Sequence, residues 1–193
     1  VGKSDRLDWA QSCFDKGIAF EEASMFDSAA VCYLSAIGSL DPDEEVYAEA
    51  LGAYYNRIAL LLFKSEINKE AEKMFEKAIA YNSRLSEKSQ LSESYRGLWK
   101  CYCVDKGGIL DSTLLKTVRL IPDIRDKEEL FKAKNALAYY FLMSGDYASA
   151  MQYSSELEAL SPDTVSYYKS CLVRGSIFYA SGQLDSALVY TRK

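Results

Sequence analysis

The chain has 193 residues, 49% of them apolar, enough for a packed core and too apolar for a disordered polymer. Its 23 basic and 28 acidic residues leave a net charge of −5 with no cationic block, which argues against nucleic acid as a partner of this region. Histidine is absent, which removes the commonest general base and metal ligand, so neither a metal nor a cofactor is expected.

Helical periodicity runs through the whole chain, punctuated by breaks at Asp41-Pro42-Asp43, Gly107-Gly108, Ile121-Pro122-Asp123, Ser144-Gly145-Asp146, Ser161-Pro162-Asp163 and Ser181-Gly182. The breaks predict five helical hairpins, over residues 5–41, 43–83, 87–121, 126–161 and 163–193, forming one domain. The first pairs a helix around Gly17 and Phe20 with one that opens Phe26-Asp27-Ser28-Ala29 and continues through Tyr33 and Ala36. In the second, Ala59 and Leu62 precede Ala71, Phe75 and Ala78. Here Ile58-Ala59-Leu60-Leu61-Leu62-Phe63, flanked by Arg57 and Lys64, is too short to cross a bilayer and reads as a buried helix segment. The third is degenerate, with Leu98, Leu110, Leu114 and Pro122, and a glycine pair where the others turn. The fourth starts at the capping sequence Asp126-Lys127-Glu128-Glu129 and carries Ala138, Phe141, Gly145, Tyr147 and Ala150. The fifth repeats the pattern with Gly175, Phe178, Gly182, Leu184 and Ala187, and breaks off inside its second helix at Thr191-Arg192-Lys193, which suggests a piece of a longer protein.

The small residues let two antiparallel helices approach closely, while the large ones fill the groove between them. Positions 17, 59, 98, 138 and 175 are equivalent in this reading and lie 42, 39, 40 and 37 residues apart. The five cysteines, Cys13, Cys32, Cys101, Cys103 and Cys171, include no CxxC pair and read mostly as small apolar fillers.

This grammar of a small residue, an aromatic three later, a Gly-x-Tyr turn, then Ala-x-x-x-Phe-x-x-Ala and a closing proline resembles the tetratricopeptide repeat (TPR), with steps longer than that family's period of about 34 residues. The resemblance implies an all-α, right-handed solenoid of about four and a half hairpins that binds protein or peptide in a concave groove lined by first helices. Carried over position by position, it places Asn56 and Phe63 of the second hairpin in the groove, with Tyr95, Trp99 and Tyr102 of the third. Lys132, Asn135 and Tyr139 of the fourth and Lys169 of the fifth complete the set. Aromatic faces and amides together suit an extended peptide or a helix. The same aromatics can instead pack against a neighbouring repeat, and both readings stay open.

The family's carboxylate clamp needs asparagines where this chain has Ile18, Leu60, Trp99 and Tyr139, and Arg57, Arg96 and Ala136, so chaperone C-terminal tails are not the expected ligand. Adjacent carboxylates such as Glu21-Glu22 and Asp43-Glu44-Glu45 suit a solvated surface better than acid–base work, and no enzyme activity is expected. Two further readings fit the resemblance: a sensory region of a larger bacterial signalling or transcription-regulating protein, and self-association through the uncapped last hairpin. A cytoplasmic location and a membrane-tethered extracytoplasmic one are both compatible with the chain.

Overall fold

The computed structural model describes residues 2–192, and all their side chains except those of residues 105 and 106; Lys193, where the fifth hairpin was expected to end, lies outside them. Among the described residues every regular element is helical. The chain divides between Ser86 and Glu87 into two compact units.

The first unit holds two hairpins. Helix α1 (Lys3–Glu22) packs on α2 (Phe26–Gly38), and after a 3-10 turn at Glu45–Tyr47, α3 (Ala48–Lys64) packs on α4 (Asn68–Asn82). The two hairpins join where α2 meets α3. Both turn through a left-handed residue, Ser24 (φ 60°) and Glu66 (φ 62°), and both close with a bond spanning five residues, Met25 N–H to Phe20 C=O and Ile67 N–H to Leu62 C=O. The core follows the small-and-large pattern. Tyr33, Ile58 and Leu61 surround Ala29, and Leu40, Tyr47, Leu51 and Tyr54 surround Ala10 and Ala36. Phe14 stacks on Tyr54 with ring centres 4.3 Å apart.

In the second unit, α5 (Ser89–Lys106) ends at Gly107 (φ 60°) and is followed by a 3-10 stretch, Leu114–Asp123, where the other hairpins have an α-helix. The local sequence accounts for this. Thr113, Thr117, Val118 and Ile121 are β-branched, and Pro122 closes the segment within a few turns. The buried Leu114 and Thr117 stand three residues apart, the repeat at which side chains eclipse on a 3-10 helix.

The fourth hairpin is α6 (Lys127–Ser144) with a second arm split into α7 (Tyr147–Ser154) and α8 (Leu157–Leu160). The fifth is α9 (Thr164–Ala180) with α10 (Leu184–Thr191). Three helix starts are capped by aspartate: Asp126, Asp146 and Asp163 accept from the amides of Glu129, Ser149 and Ser166 at 2.8, 3.1 and 2.7 Å. The hairpins after α6 and α9 turn at Gly145 (φ 81°) and Gly182 (φ 80°), the positions that Ser24 and Glu66 fill in the first unit. No described helix is long and apolar enough to cross a membrane.

Candidate functional site

The burial pattern fixes the register of the first helices. Ile58, Ala59 and Leu61 of α3 are buried, and so are Leu98, Trp99 and Cys101 of α5 and Leu137, Ala138 and Tyr140 of α6. The equivalent of Ala59 and Ala138 is therefore Trp99, one residue beyond the Leu98 taken from the sequence.

Trp99 is only 6% exposed. It packs against Leu114, Leu137 and Tyr140 and donates from its indole nitrogen to Ile109 C=O at 2.9 Å. Elsewhere this position must be small because a second α-helix lies close to it. Behind α5 the narrower 3-10 stretch leaves room, and an indole fills it. Trp99 is thus a core residue with no face to offer a ligand, which corrects its place among the groove residues.

The one-residue slip moves its neighbours too. Tyr95 turns to the 3-10 side, where the Lys116 ammonium lies 5.3 Å from its ring centre, and the two line a cavity of about 560 Å³ with Leu91, Leu115 and Leu120. Tyr102 is half-buried behind the Gly107-Gly108 turn, its carbonyl accepting from Gly108 N–H at 3.2 Å. Neither shares a face with Lys132, Asn135 and Tyr139. The residues of α5 in register with those three, 39 positions earlier, are Glu93, Arg96 and Lys100. On α9 they are Lys169, Leu172 and Ser176, 37 positions later and all exposed.

In the first unit Asn56 is 2% exposed and inside the core, while Phe63 is half-buried near the end of α3. Sequence reasoning named Arg96 only at a clamp position and missed Lys100. The signal was present: Leu98-Trp99-x-Cys101 matches Ile58-Ala59-x-Leu61 and Leu137-Ala138-x-Tyr140 in its apolar spacing. The expectation of a small residue at the close-packing position hid it.

Across α5, α6 and α9 the second unit therefore carries a face of Glu93, Arg96 and Lys100, then Lys132, Asn135 and Tyr139, then Lys169, Leu172 and Ser176. Three spacings of i, i+3 and i+7 bring each set onto one side of its helix. Arg96 is committed: its side chain is 7% exposed and forks onto Glu129, Nη2 to Oε2 at 2.7 Å and Nε to Oε1 at 3.2 Å, while the Ser92 hydroxyl donates to Oε1 at 2.9 Å. Lys132 pairs with Glu128 one turn away. Tyr139 is 40% exposed. Burial and then the like charge of Arg96 hold the Lys100 ammonium below its ordinary pKa; Lys132 adds to this, and Glu129 and Glu93 act against it.

A second feature is apolar. Leu172 and Tyr179 of α9, 62% and 71% exposed, join Leu184 and Leu188 of α10 around an open cavity of about 460 Å³. Among the described residues no cluster of His, Cys, Asp and Glu is arranged to hold a metal.

No protein-family model and no curated protein matches the sequence. Solved structures do. BtubC (BKLC) from P. vanneervenii superposes with a TM-score of 0.70 at 16% identity, over 91% of this chain and 74% of that one. A Podosopora anserina putative kinesin light chain with nearly identical TPR-like repeats gives 0.69 at 15%, over 94% and 91%. MamA gives 0.61 at 14%, over 96% and 89%. The chain has a TPR-like helical-repeat fold.

Proposed function

We propose that the chain is a non-catalytic scaffold that binds a peptide segment of a partner protein on the first-helix face of α5, α6 and α9. The observation that carries this reading is the α6 row: exposed Lys132 and Tyr139 flank Asn135, so a cation, an amide and an aromatic ring project from one side of one helix. An amide pairs with a peptide backbone while a tyrosine face covers a side chain at little entropic cost. Such anchors carry on the order of 2 kcal/mol each where they are buried by the partner.

The test is selection of binders from a library of short peptides, followed by hydrogen-exchange mapping on the whole chain. Protection on α5, α6 and α9, lost in a Lys132→Ala/Tyr139→Ala variant, is the expected result. Protection confined to α7 and α10, or binding unchanged in the variant, overturns it.

The open apolar face of α9 and α10 favours a second reading of that end, in which a second copy of the chain covers it. The last hairpin, residues 163–193, carries Lys169, Arg174, Arg192 and Lys193 against Asp163 and Asp185, while residues 3–38 carry six acidic and three basic side chains and expose Trp9, Val31 and Leu34. Opposite charge and matching apolar surface suit a head-to-tail contact. Light scattering that finds only monomer at every concentration removes this reading.

A further inference from the structure

The 3-10 stretch leaves room on two sides of α5. On one side Trp99 fills it. On the other it stays open, as the cavity of about 560 Å³ walled by Leu91 and Tyr95, one turn apart on α5, and by Leu115 and Leu120 of the 3-10 stretch. Small-molecule sites commonly have this size, about 300–1,000 Å³, and this make-up of apolar walls with a few polar groups. A hairpin that breaks the pattern of its neighbours is also where a function particular to this chain is expected.

The charges at this cavity are of one sign. Besides Tyr95 its polar side chains are Ser112, Lys116 and Arg119, all three exposed. A 3-10 helix has three residues per turn, so Lys116 and Arg119 stand one above the other on a single ridge. Like charges so placed repel, and no carboxylate lines the cavity to offset them. The acidic residues nearby are engaged elsewhere. Asp111 accepts from the Thr113 amide at 2.8 Å, Glu87 from Ser89 and the Arg125 amide, and Glu93 lines a separate polar cavity with Asp126, Glu129 and Lys132. Among the described residues no carboxylate, Asp123 included, lies within ion-pair distance of Lys116 or Arg119. Lys116 is held instead by the Tyr95 ring, which keeps its ammonium at the rim.

We propose that this cavity binds a small organic carboxylate, its apolar body against Leu91, Leu115, Leu120 and the Tyr95 ring and its carboxylate on Lys116 and Arg119. The site lies on the 3-10 side of α5, off the face assigned to a peptide, and does not rest on that assignment. The body is apolar because the walls offer it no hydrogen-bonding side chain beyond the hydroxyls of Ser112 and Tyr95. The same lining argues against a peptide as occupant: a peptide backbone needs amide partners, and no Asn or Gln lines this cavity. A carboxylate has two oxygens for two cations. Brought to this ridge, it turns a repulsion into charge-assisted contacts.

The experiment uses three probes that share one aromatic body: anionic naphthoate, neutral naphthamide and cationic naphthylmethylamine. Each is titrated into the whole chain at pH 7, with affinity measured by calorimetry and the site located by backbone amide chemical shifts. Naphthoate is expected to bind best, with shifts at residues 91–95 and 112–120. Its advantage over naphthamide is expected to be about tenfold, the size of one charge-assisted hydrogen bond. The double variant Lys116→Gln/Arg119→Gln, at two exposed positions, is expected to lose that advantage. Its amide spectrum away from the cavity should match wild type, which shows that it folds.

Equal affinity for the three probes, or a preference for naphthoate that survives in the double variant, overturns the proposal. Shifts confined to α6 or to the apolar cavity of α9 and α10 overturn it as well, and so does the absence of binding by naphthoate. Short acidic peptides that displace naphthoate from residues 112–120 and bind there more tightly would assign the cavity to a peptide instead.

Discussion

A β-carbon built on Gly17 of α1 would lie 2.4 Å from Cε1 of the Tyr33 ring on α2. The two residues are therefore one contact: the tyrosine is fully buried because the glycine lets its ring lie against the backbone of the opposite helix. Two effects compete in Gly17→Ala. Alanine is the better helix former by about 1 kcal/mol. Against that, a contact of 2.4 Å cannot stand, and the ring cannot retreat freely because its hydroxyl is bonded to Glu21 and Phe14 packs 5.2 Å away. Forcing such a core apart costs typically about 1–3 kcal/mol or more. The clash wins, and Gly17→Ala is expected to lower stability by about 1–2 kcal/mol, measured by denaturant unfolding followed through tyrosine signals of the first unit.

The same tyrosine leads to the polar centre of that unit. Glu21 is buried at the end of α1, where Oε2 accepts from Tyr33 at 2.9 Å and from Arg57 at 2.8 Å, and Oε1 from Lys64 at 2.7 Å. Burial raises the carboxyl's pKa, but the bonds from Lys64 and Tyr33 and the charges of Arg57 and Lys64 outweigh it and leave the pKa below its ordinary value. Tyr33 is pushed up to about 12, first by burial and then by Glu21, so it remains a donor throughout the neutral range. A carboxyl whose pKa is lowered by folding stabilises the fold above its unfolded value and loses that contribution as pH falls through its folded one. Stability of the first unit should therefore decline below about pH 4.3 with a slope that Glu21→Gln lacks. At pH 7, Glu21→Ala is expected to cost about 2 kcal/mol, because Tyr33 and Arg57 lose their acceptor while Arg57 and Lys64 keep partial access to water. Equal acid slopes in wild type and Glu21→Gln would show that other groups drive the acid transition.

Trp99 and Ala138 occupy equivalent positions with opposite demands. Trp99→Ala removes a buried indole and its bond to Ile109, with an expected loss of about 3–5 kcal/mol in the second unit. Ala138→Trp places the same side chain where α7 packs on α6, and overpacking should prevent that hairpin from closing. Near-ultraviolet circular dichroism and thermal unfolding follow both. If Trp99→Ala proved neutral, the indole would not be what holds the 3-10 stretch on α5.

That contrast marks what could be read without coordinates. The helices and the small-residue contacts were legible because Gly17, Ala59, Ala138 and Gly175 satisfy one local requirement, close helix approach, that leaves its trace in residue size. The helix starts at Asp126 and Asp146 were legible for the same reason, since a capping carboxylate acts on amides three residues away. The left-handed turns at Ser24 and Glu66 were less so, because glycine marks that geometry at Gly107, Gly145 and Gly182 but not there. The α5 face was misplaced because its register depends on what packs behind it. Where the second α-helix gives way to the 3-10 stretch of Leu114–Asp123, a tryptophan takes the small residue's place and the size signal reverses. Lys100 and Arg96 then fall on the face that the sequence had assigned to Tyr95, Trp99 and Tyr102. Pairing between distant residues, such as Arg96 with Glu129, leaves no periodic trace at all.

Lys100 makes a prediction about stability. Burial and Arg96 lower its pKa, with Lys132 adding to the effect and Glu129 and Glu93 opposing it, so the folded chain binds this proton less tightly than the unfolded chain does. Below the folded pKa the proton is bound in both states and the destabilising effect is fully present. As pH rises from the folded pKa towards the ordinary lysine value near 10.4, the unfolded state holds more protons than the folded one, and stability rises. Lys100→Met keeps the apolar stem and removes the charge. It is expected to unfold at a midpoint about 2–4 °C higher at pH 7, the shift that about 1 kcal/mol makes in a chain of this size. The gap to wild type should narrow as pH is raised towards 10, where wild type sheds the proton. A structural lysine that stabilised the fold through an ion pair would behave in the opposite way: its replacement would lower the midpoint at pH 7, and the difference would shrink at high pH because wild type lost stability. Melting curves of the two chains across that range distinguish the cases, and a lower midpoint for Lys100→Met at neutral pH would place Lys100 among the groups that hold α5 on α6.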